Sequence, residues 1–596
     1  MTDEMCQAWQ ISSLPLHRLL AFGRRARREP HQRAVRVAVL GDCATQHYTE
    51  AVTAALKLRG WWPEVYEAEF DTLRQDILTD DSGLYQHKPQ VILLFNCTQA
   101  LAGRFAATSA KATFADDVTA DMANLWERLK RRSGAAILQH TFVVPIDRPY
   151  GNQTALYPDT FAGAISRINA RMLNLARDAG VALIDNDWQA SYFGKERWLD
   201  ERLWCHSKQA LSPSYLPSLA KGVSDSVLAE LGVGVKCVVV DLDNTLWGGV
   251  LADDGASGIE IGQAEVGLAF SRFQQTLQEL RDRGVLLAVC SRNHHDAVRD
   301  VLTNHPDMIL RYQDFSVVVA NHGDKVSNIL TIRDRLNLGL DSFVFLDDSP
   351  FERDMVRRAL PEVQVPEMGE DPAGFSGVLA RLGLFEGRAA TNEDRDRRAY
   401  YQKDAERDAL RNQFSGLTEY LADLKMEADQ LPFDAYALPR VHQLVQRSNQ
   451  FNLTTIRYTE SELAALAQAH DVSAFCVRLT DRLGDNGIIV VVIGRTHDKD
   501  LVIDTWIMSC RVLGRGVESL VLDLIVRSAR ARNCDRIVGR FVPTPKNGLV
   551  VDLFTRLGFT AAGTDGNAYL FELPVGEYSG KPGPIALRTR SAQEAS

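Results

Sequence analysis

Val238-Val-Val-Asp-Leu-Asp-Asn-Thr-Leu-Trp-Gly-Gly249 is the stretch on which the reading of the chain turns. Val238 to Val240 are β-branched, apolar and uncharged, the pattern of a short buried strand. Asp241 stands where that strand ends, and Asp243, Asn244, Thr245 and a glycine pair follow. A carboxylate at the carboxyl end of a parallel strand opens into the crevice where α/β sheets bind ligands. Two carboxylates that close repel each other, so a cation is expected between them. Mg²⁺ suits the position, because hard cations take oxygen ligands.

Three further stretches have the same design. Val285-Leu-Leu-Ala-Val-Cys-Ser291 is a second buried strand that ends in a hydroxyl. Lys325 opens an amphipathic helix after Asn321-His-Gly-Asp, where its ammonium can neutralise the Asp241 carboxylate and other anionic oxygens. Ser342-Phe-Val-Phe-Leu-Asp-Asp348 is a third strand, and its terminal acids Asp347 and Asp348 can complete the Mg²⁺ site with Asp241 and Asp243. The DxDxT motif and the order of these four segments resemble the haloacid dehalogenase superfamily, which consists mostly of phosphatases. The resemblance implies that Asp241 attacks phosphorus to form an aspartyl-phosphate. It implies that Asp243 protonates the leaving oxygen and later activates water. It also implies that Ser291 holds the phosphoryl group, with Asn244, Thr245, Arg292 and Asn293 among the substrate-binding candidates. His294 and His295 follow at a helix start and read as capping or surface residues, because neighbours on a helix point apart.

The wording Asp-Leu-Asp-Asn-Thr-Leu-Trp-Gly-Gly-Val250, Cys-Ser-Arg-Asn293 and Phe-Leu-Asp-Asp-Ser-Pro-Phe-Glu-Arg353 narrows the resemblance to the FkbH-like branch, which serves polyketide and nonribosomal peptide assembly. The likeness runs to about residue 573. The segments between the motifs are too short for a large cap domain, so an open site that receives its substrate on a carrier arm is expected.

Upstream, residues 34–232 alternate strand and helix. Strands are expected over Ala34 to Leu40, Pro89 to Phe95, Ala135 to Val144 and Val181 to Ile184, with helices from Gln46 to Arg59, Ala115 to Arg132 and Phe161 to Ala179. That alternation implies a parallel sheet with crevices at its strand ends. Gly41-Asp42-Cys43, then Asn96, then a late Asp200 and His206 resemble an SGNH hydrolase in order, with Cys43 where those enzymes carry serine and without their usual DxxH spacing. Asn152 is a further polar candidate. Cys43 is a candidate thioester former, its thiolate favoured by the following helix N-terminus. The alternative is a degenerate hydrolase domain that serves as a docking platform.

Downstream, residues 386–423 mix charges at helical spacing and read as a solvated helical connector. Over 424–575, strands are expected at Phe475 to Leu479, Gly487 to Gly494 and Leu501 to Met508, followed by Ser509-Cys-Arg-Val-Leu-Gly-Arg-Gly516 and a helix from Val517 to Ala531. A strand, a basic glycine-bearing loop and a helix N-terminus together make an anion site. Val512 to Gly516 resembles the pyrophosphate loop of GNAT acyltransferases, which grip coenzyme A, and the pantetheine arm of a carrier protein has the same chemistry. Arg511, Gly514, Arg515 and Gly516 are therefore candidates for holding the arm's phosphate, and Cys510 is a second candidate acyl acceptor. Residues 1–33 form an N-terminal segment, and 576–596 are expected to be disordered.

The whole chain sets limits on these readings. At 596 residues the chain is long enough for three or four domains, and 45% hydrophobic with 24% charged residues suits a soluble globular protein. The resemblances imply three α/β domains: an SGNH/flavodoxin-like parallel sheet, a Rossmann-like dehalogenase domain with a minimal cap, and a GNAT-like α+β domain. The net charge of −10 argues against a general nucleic-acid binder, and no apolar run is long enough to span a bilayer. Nine cysteines without CxxC pairs indicate a reducing compartment, the cytoplasm, and argue against zinc. The FkbH-like resemblance implies transfer of a glyceryl unit from D-1,3-bisphosphoglycerate to an acyl carrier protein thiol, with dephosphorylation. No P-loop is present, and an acyl phosphate is already activated. A small-molecule phosphatase with binding-only flanking domains and a carrier-protein scaffold stay open as alternatives.

Overall fold

The structure is a computed structural model. It describes residues 8–28, 33–157, 159–386, 407, 410, 414, 416–448, 451–509, 512–544, 547–580 and 583–588. The chain divides into two compact units. The first is Met1–Arg333 with Leu338–Asp394, and the second is Arg395–Ser596 with Asp334–Asn337.

The first unit contains two parallel sheets. The upstream sheet has the order β2-β1-β3-β4-β5, from β1 (Arg33–Gly41), β2 (Trp61–Glu67), β3 (Val91–Phe95), β4 (Ala136–His140) and β5 (Ala182–Ile184). This is the flavodoxin-like order with its switch point between β1 and β3. β2 was not legible in the sequence because Pro63 interrupts it. As an edge strand it tolerates the missing N–H donor. Core residues fill both faces of the sheet, among them Val37, Leu93 and Leu138 on one and Ile92, Ile137 and Trp126 on the other.

The downstream sheet has the order β8-β7-β6-β9, from β6 (Cys237–Val240), β7 (Leu286–Ser291), β8 (Val317–Ala320) and β9 (Phe343–Leu346). All residues of β6, β7 and β9 are buried, which is why the sequence there is continuously apolar. Val240 pairs with Val289 on one side and Leu346 on the other. This register brings Asp241 and Asp347, just beyond β6 and β9, and Ser291, the last residue of β7, to one edge. Between β6 and the helix Glu265–Asp282 there are only the short helix Leu251–Asp254 and two isolated bridges, Asp243 to Trp247 and Gly248 to Glu260, so no cap domain is inserted there. A side chain at Gly248 would collide with Glu260 and Phe270, which closes this small turn tightly.

The helix Leu216–Glu230 joins the two sheets into one unit. It is buried along most of its length, polar positions included. Lys221 pairs with Asp225 at 2.6 Å and donates to the Leu382 carbonyl, and Arg59 pairs with the same Asp225. The expected separate domains over 34–232 and 235–385 therefore share one compact body.

The second unit is an eight-stranded mixed sheet, β15-β16-β14-β13-β12-β11-β10-β17. Its strands are β10 (Met426–Leu431), β11 (Val472–Asp481), β12 (Gly484–His497), β13 (Asp500–Met508), β14 (Arg536–Phe541), β15 (Thr560–Asp565), β16 (Ala568–Pro574) and β17 (Ile585–Leu587). β13 pairs in parallel with β14 only through Ile503, and the helix Val517–Ala531 lies between them in sequence. Two expectations fail here. Within the expected solvated connector, Arg407 is buried and makes a bidentate pair with Asp481 at 2.9 Å, because the turn after β11 leaves that carboxylate inside. Within the expected disordered tail, β17 adds a parallel edge strand to β10, because backbone pairing does not need apolar side chains.

Candidate functional site

The carboxyl edge of the downstream sheet gathers three acids. The carboxylate oxygens of Asp241, Asp347 and Asp348 lie within 4.8 Å of one another. Lys325, the first residue of the helix Lys325–Leu336, reaches them from the loop after β8. Its buried Nζ donates to Asp241 Oδ1 at 2.5 Å and to the Cys290 carbonyl at 2.7 Å, and lies 3.2 Å from Asp347 Oδ2. One ammonium thus faces three acids. Burial pushes Asp241 up to about 6, opposed by Lys325 and reinforced by Asp347. Asp347 and Asp348 are raised too, first by burial. Burial works against the charge on Lys325, but Asp241 and Asp347 outweigh it and raise the ammonium. Asp347 Oδ2 has no hydrogen-bond partner. An all-oxygen donor set with surplus negative charge fits a hard divalent cation.

Asp243 is not in that group. Its Oδ1 accepts from Trp247 Nε1 at 3.0 Å and Leu251 N at 3.1 Å, and its Oδ2 accepts from Asn293 Nδ2 at 2.8 Å. This corrects its assignment as a side-chain metal ligand, because the turn after β6 points the carboxylate at Asn293. Asn293 also donates to Ser291 Oγ at 3.1 Å, so Asp243 and Ser291 are linked through one amide.

Asn244 and Thr245 make hydrogen bonds within the loops around the acids. Asn244 has φ 53°, a left-handed conformation uncommon outside glycine, and its Oδ1 accepts from Gly249 N at 3.0 Å. Thr245 is fully buried. Its hydroxyl donates to Asp348 Oδ1 at 3.3 Å and accepts from Asp348 N at 3.1 Å, orienting that acid. Arg292 is half exposed and pairs with Glu352 at 2.9 Å.

Arg353 was quoted in the sequence motif but given no role. It is buried and donates to the carbonyls of Asp347 at 2.8 Å and Asp348 at 2.7 Å, and pairs with Glu367 at 2.7 Å. Its spacing, one helical turn beyond Asp348 and after Ser-Pro, was the available signal. The helix start folds its guanidinium back under the acidic loop.

The upstream sheet has its own polar edge. Asp42 accepts from Cys97 N at 2.8 Å and Asn96 Nδ2 at 2.9 Å. Cys43 is only 1% exposed and packs in the apolar core, with Sγ 3.8 Å from the Phe95 carbonyl. Cys97, not Cys43, lines the neighbouring cleft, with Thr98, Gln99, Thr141, Asn186 and Trp198. Cys43 was expected to be a thiolate at a helix start, but the turn after β1 buries it before the helix Gln46–Leu58 begins. Asp200 caps the helix Glu201–Ser207 through the N–H groups of Arg202 and Leu203, and His206 is exposed in that helix's last turn. His140, the last residue of β4, is fully buried. Its Nδ1 donates to Asn186 at 2.9 Å and its Nε2 accepts from Tyr48 at 2.8 Å. Asn152 lies in an exposed 3₁₀ turn, Gly151–Leu156.

In the second unit, Cys510 and Arg511 lie outside the described residues. Gly514 has φ 73° and Gly516 has φ 82°, and Gly516 directly precedes the helix Val517–Ala531. A Cβ on Gly516 would also meet Pro584 at 3.1 Å. Arg515 turns inward, 3.8 Å from Asp481, with 11% of its side chain exposed. This differs from its expected position on an outward phosphate, because the buried Asp481 attracts it.

Comparison with known proteins gives three findings. The family model "FkbH, N-terminal domain" matches residues 36–228. A crystal structure from Bacteroides fragilis, the N-terminal part of a protein containing a phosphatase domain complexed with Mg, aligns at 30% identity and TM-score 0.59, over 63% of this chain and 99% of that one. The Escherichia coli ribosomal-protein-S18-alanine N-acetyltransferase aligns at 16% identity and TM-score 0.20, over 25% of this chain and 94% of its own. No curated protein matches. With the N-terminal family model matched and nearly the whole of a 30%-identical relative spanned, this chain belongs to the FkbH family.

Proposed function

We propose that the protein is a Mg²⁺-dependent phosphatase coupled to acyl transfer. It takes a glyceryl unit from D-1,3-bisphosphoglycerate, passes it to the phosphopantetheine thiol of an acyl carrier protein, and removes the remaining phosphate. The work belongs to polyketide or nonribosomal peptide assembly in the cytoplasm. The observation that carries the phosphatase half is the buried Asp241–Lys325 pair at 2.5 Å, beside Asp347 and Asp348 on one sheet edge.

Asp241 attacks phosphorus, and the ester P–O bond breaks. The electron pair leaves on the alkoxide oxygen, which takes a proton from Asp243. Asp243 then removes a proton from water as that water attacks the aspartyl-phosphate, and Asp241 is restored with inorganic phosphate. Lys325 keeps Asp241 ionised and balances the phosphoryl charge. Ser291 and Asn293 line the same edge and hold the phosphoryl oxygens and Asp243 in register. Asp241, Asp347 and Asp348 would hold Mg²⁺, which would supply positive charge for the phosphoryl group.

In the acyl half, a cysteine thiolate attacks the acyl carbon of the donor, and the C–O bond to phosphate breaks to leave a thioester. The carrier thiol then displaces the cysteine. Cys510 and Cys43 are the two candidate acceptors. The burial of Cys43 favours Cys510. It also favours a second reading, a phosphatase of free small molecules whose flanking domains only bind.

Intact-mass analysis of a carrier protein incubated with the enzyme, Mg²⁺ and bisphosphoglycerate tests these readings. Wild type should yield glyceryl-carrier, and Asp241→Asn should accumulate phosphoglyceryl adducts. Release of the ester phosphate by Asp241→Asn would refute the assignment. Loss of loading in Cys43→Ala but not Cys510→Ala would move the thiol, and turnover of free sugar phosphates with no acylated thiol would support the second reading.

A further inference from the structure

Two exposed histidines stand on the loops that supply the site. His294 follows Asn293, the amide linking Asp243 and Ser291, and His322 lies three residues before Lys325. Their Nε2 atoms are 3.3 Å apart, with ring centroids at 4.6 Å and planes at 86°. Each ring is positioned by the other, and His294 makes no side-chain cap to its helix His295–Asn304. Both loops are pinned. Asn321 and Asn328 exchange two hydrogen bonds at 3.0 and 3.1 Å, and Asn321 N donates to the Ser291 carbonyl at 3.1 Å. Arg292 lies on the same loop as His294.

Among the described residues, no third ligand groups with the two imidazoles. Among the described residues, the metal-capable groups are Asp241 with Asp347 and Asp348, and Asp42 with Cys43 and Cys97. The nearby acids are engaged elsewhere. Glu352 holds Arg292, and Asp324 accepts from Ser327 N. Two exposed imidazoles, whose mutual Nε2 contact occupies one N–H, and the half-exposed guanidinium of Arg292, two residues before His294, leave N–H donors of the kind that bind carboxylate or phosphate. Because no cap domain is inserted after β6, recognition of the substrate beyond its scissile phosphate falls to such rim residues.

We propose that His294 and His322, with Arg292, bind a second anionic group of the substrate, a carboxylate or a phosphate, beyond the ester that Asp241 cleaves. This rests on the phosphatase reading above. The test compares D-3-phosphoglycerate with sn-glycerol 3-phosphate, which share the phosphate ester and differ by a carboxylate. It also compares phosphoglyceryl thioesters of 4′-phosphopantetheine and of N-acetylcysteamine, which differ by the arm phosphate. The full-length His294→Gln/His322→Gln protein should lose about 10-fold in the kcat/KM ratio of the substrate with the additional anion over the one without it, mainly through KM. The pair of substrates whose ratio falls identifies the anion. His295→Gln, whose ring faces Tyr312 at 3.3 Å, should leave both ratios as in wild type. Unchanged ratios in the double variant, with Asp241-dependent turnover intact, would overturn the rim site alone. Turnover that does not depend on Asp241 would overturn both readings.

Discussion

At the scale of single residues, the site depends on an imbalance. Three carboxylates within 4.8 Å share one lysine in a buried pocket. In the metal-free protein Asp241 is pushed up to about 6 from 3.8, so the folded state holds a proton that the unfolded state has lost between those values. Stability from this group is therefore full below about 3.8 and falls as pH rises through about 6. A bound cation favours the ionised cluster, so Mg²⁺ should raise the melting temperature more at pH 7.5 than at pH 5. Calorimetry with and without Mg²⁺ at both pH values checks this, and an equal shift would contradict it. Thr245→Val should raise the Mg²⁺ concentration for half-maximal phosphate release about 10-fold, because the hydroxyl that orients Asp348 is lost.

At the scale of elements, strand ends do the positioning. β6, β7 and β9 were readable because buried parallel strands are apolar throughout, and each chemical residue comes just after such a run. β2 and β17 were not readable, since edge strands rest on backbone pairing that composition does not mark. The end of β4 carries a testable feature. Burial pushes His140 down to about 4, so between about 6.5 and 4 the unfolded chain binds a proton that the folded one does not. Stability from His140 is present above 6.5 and is lost as pH falls toward 4, by on the order of 3 kcal/mol. Urea unfolding of residues 1–386 across this range should show that slope, and His140→Gln should flatten it.

At the scale of the molecule, each unit has its own core: Val238, Phe273 and Leu346 belong to one of the first unit's clusters, Val477, Trp506 and Ile525 to one of the second's. Residues 1–386 expressed alone should fold and hydrolyse phosphate esters within about twofold of the full chain, since a compact unit with its own core folds independently. Acyl loading should vanish from this fragment if Cys510 is the acceptor and persist if Cys43 is. In the second unit, Arg407 holds Asp481 below the usual carboxylate range although burial opposes it. Arg407→Ala should destabilise that unit by about 3–5 kcal/mol, because a buried carboxylate loses its main partner. Chemical denaturation of residues 395–596, whose single tryptophan is the buried Trp506, followed by fluorescence, measures it.

The sequence alone determined the parallel α/β architecture of the first unit, the order of the acidic, hydroxyl and lysine motifs, and the absence of a large cap. These are set by local apolar runs and by residues one or two positions beyond them. Tertiary structure alone decided where side chains point. It turned Asp243 toward Asn293, Thr245 toward Asp348 and Arg515 toward Asp481, put Arg353 under the acidic loop, and buried Cys43 while Cys97 reached the cleft. The physical reason is that a strand's register fixes which residues share an edge. Hydrogen-bond and charge partners from distant segments then choose each side chain's direction, and those partners are not adjacent in the chain.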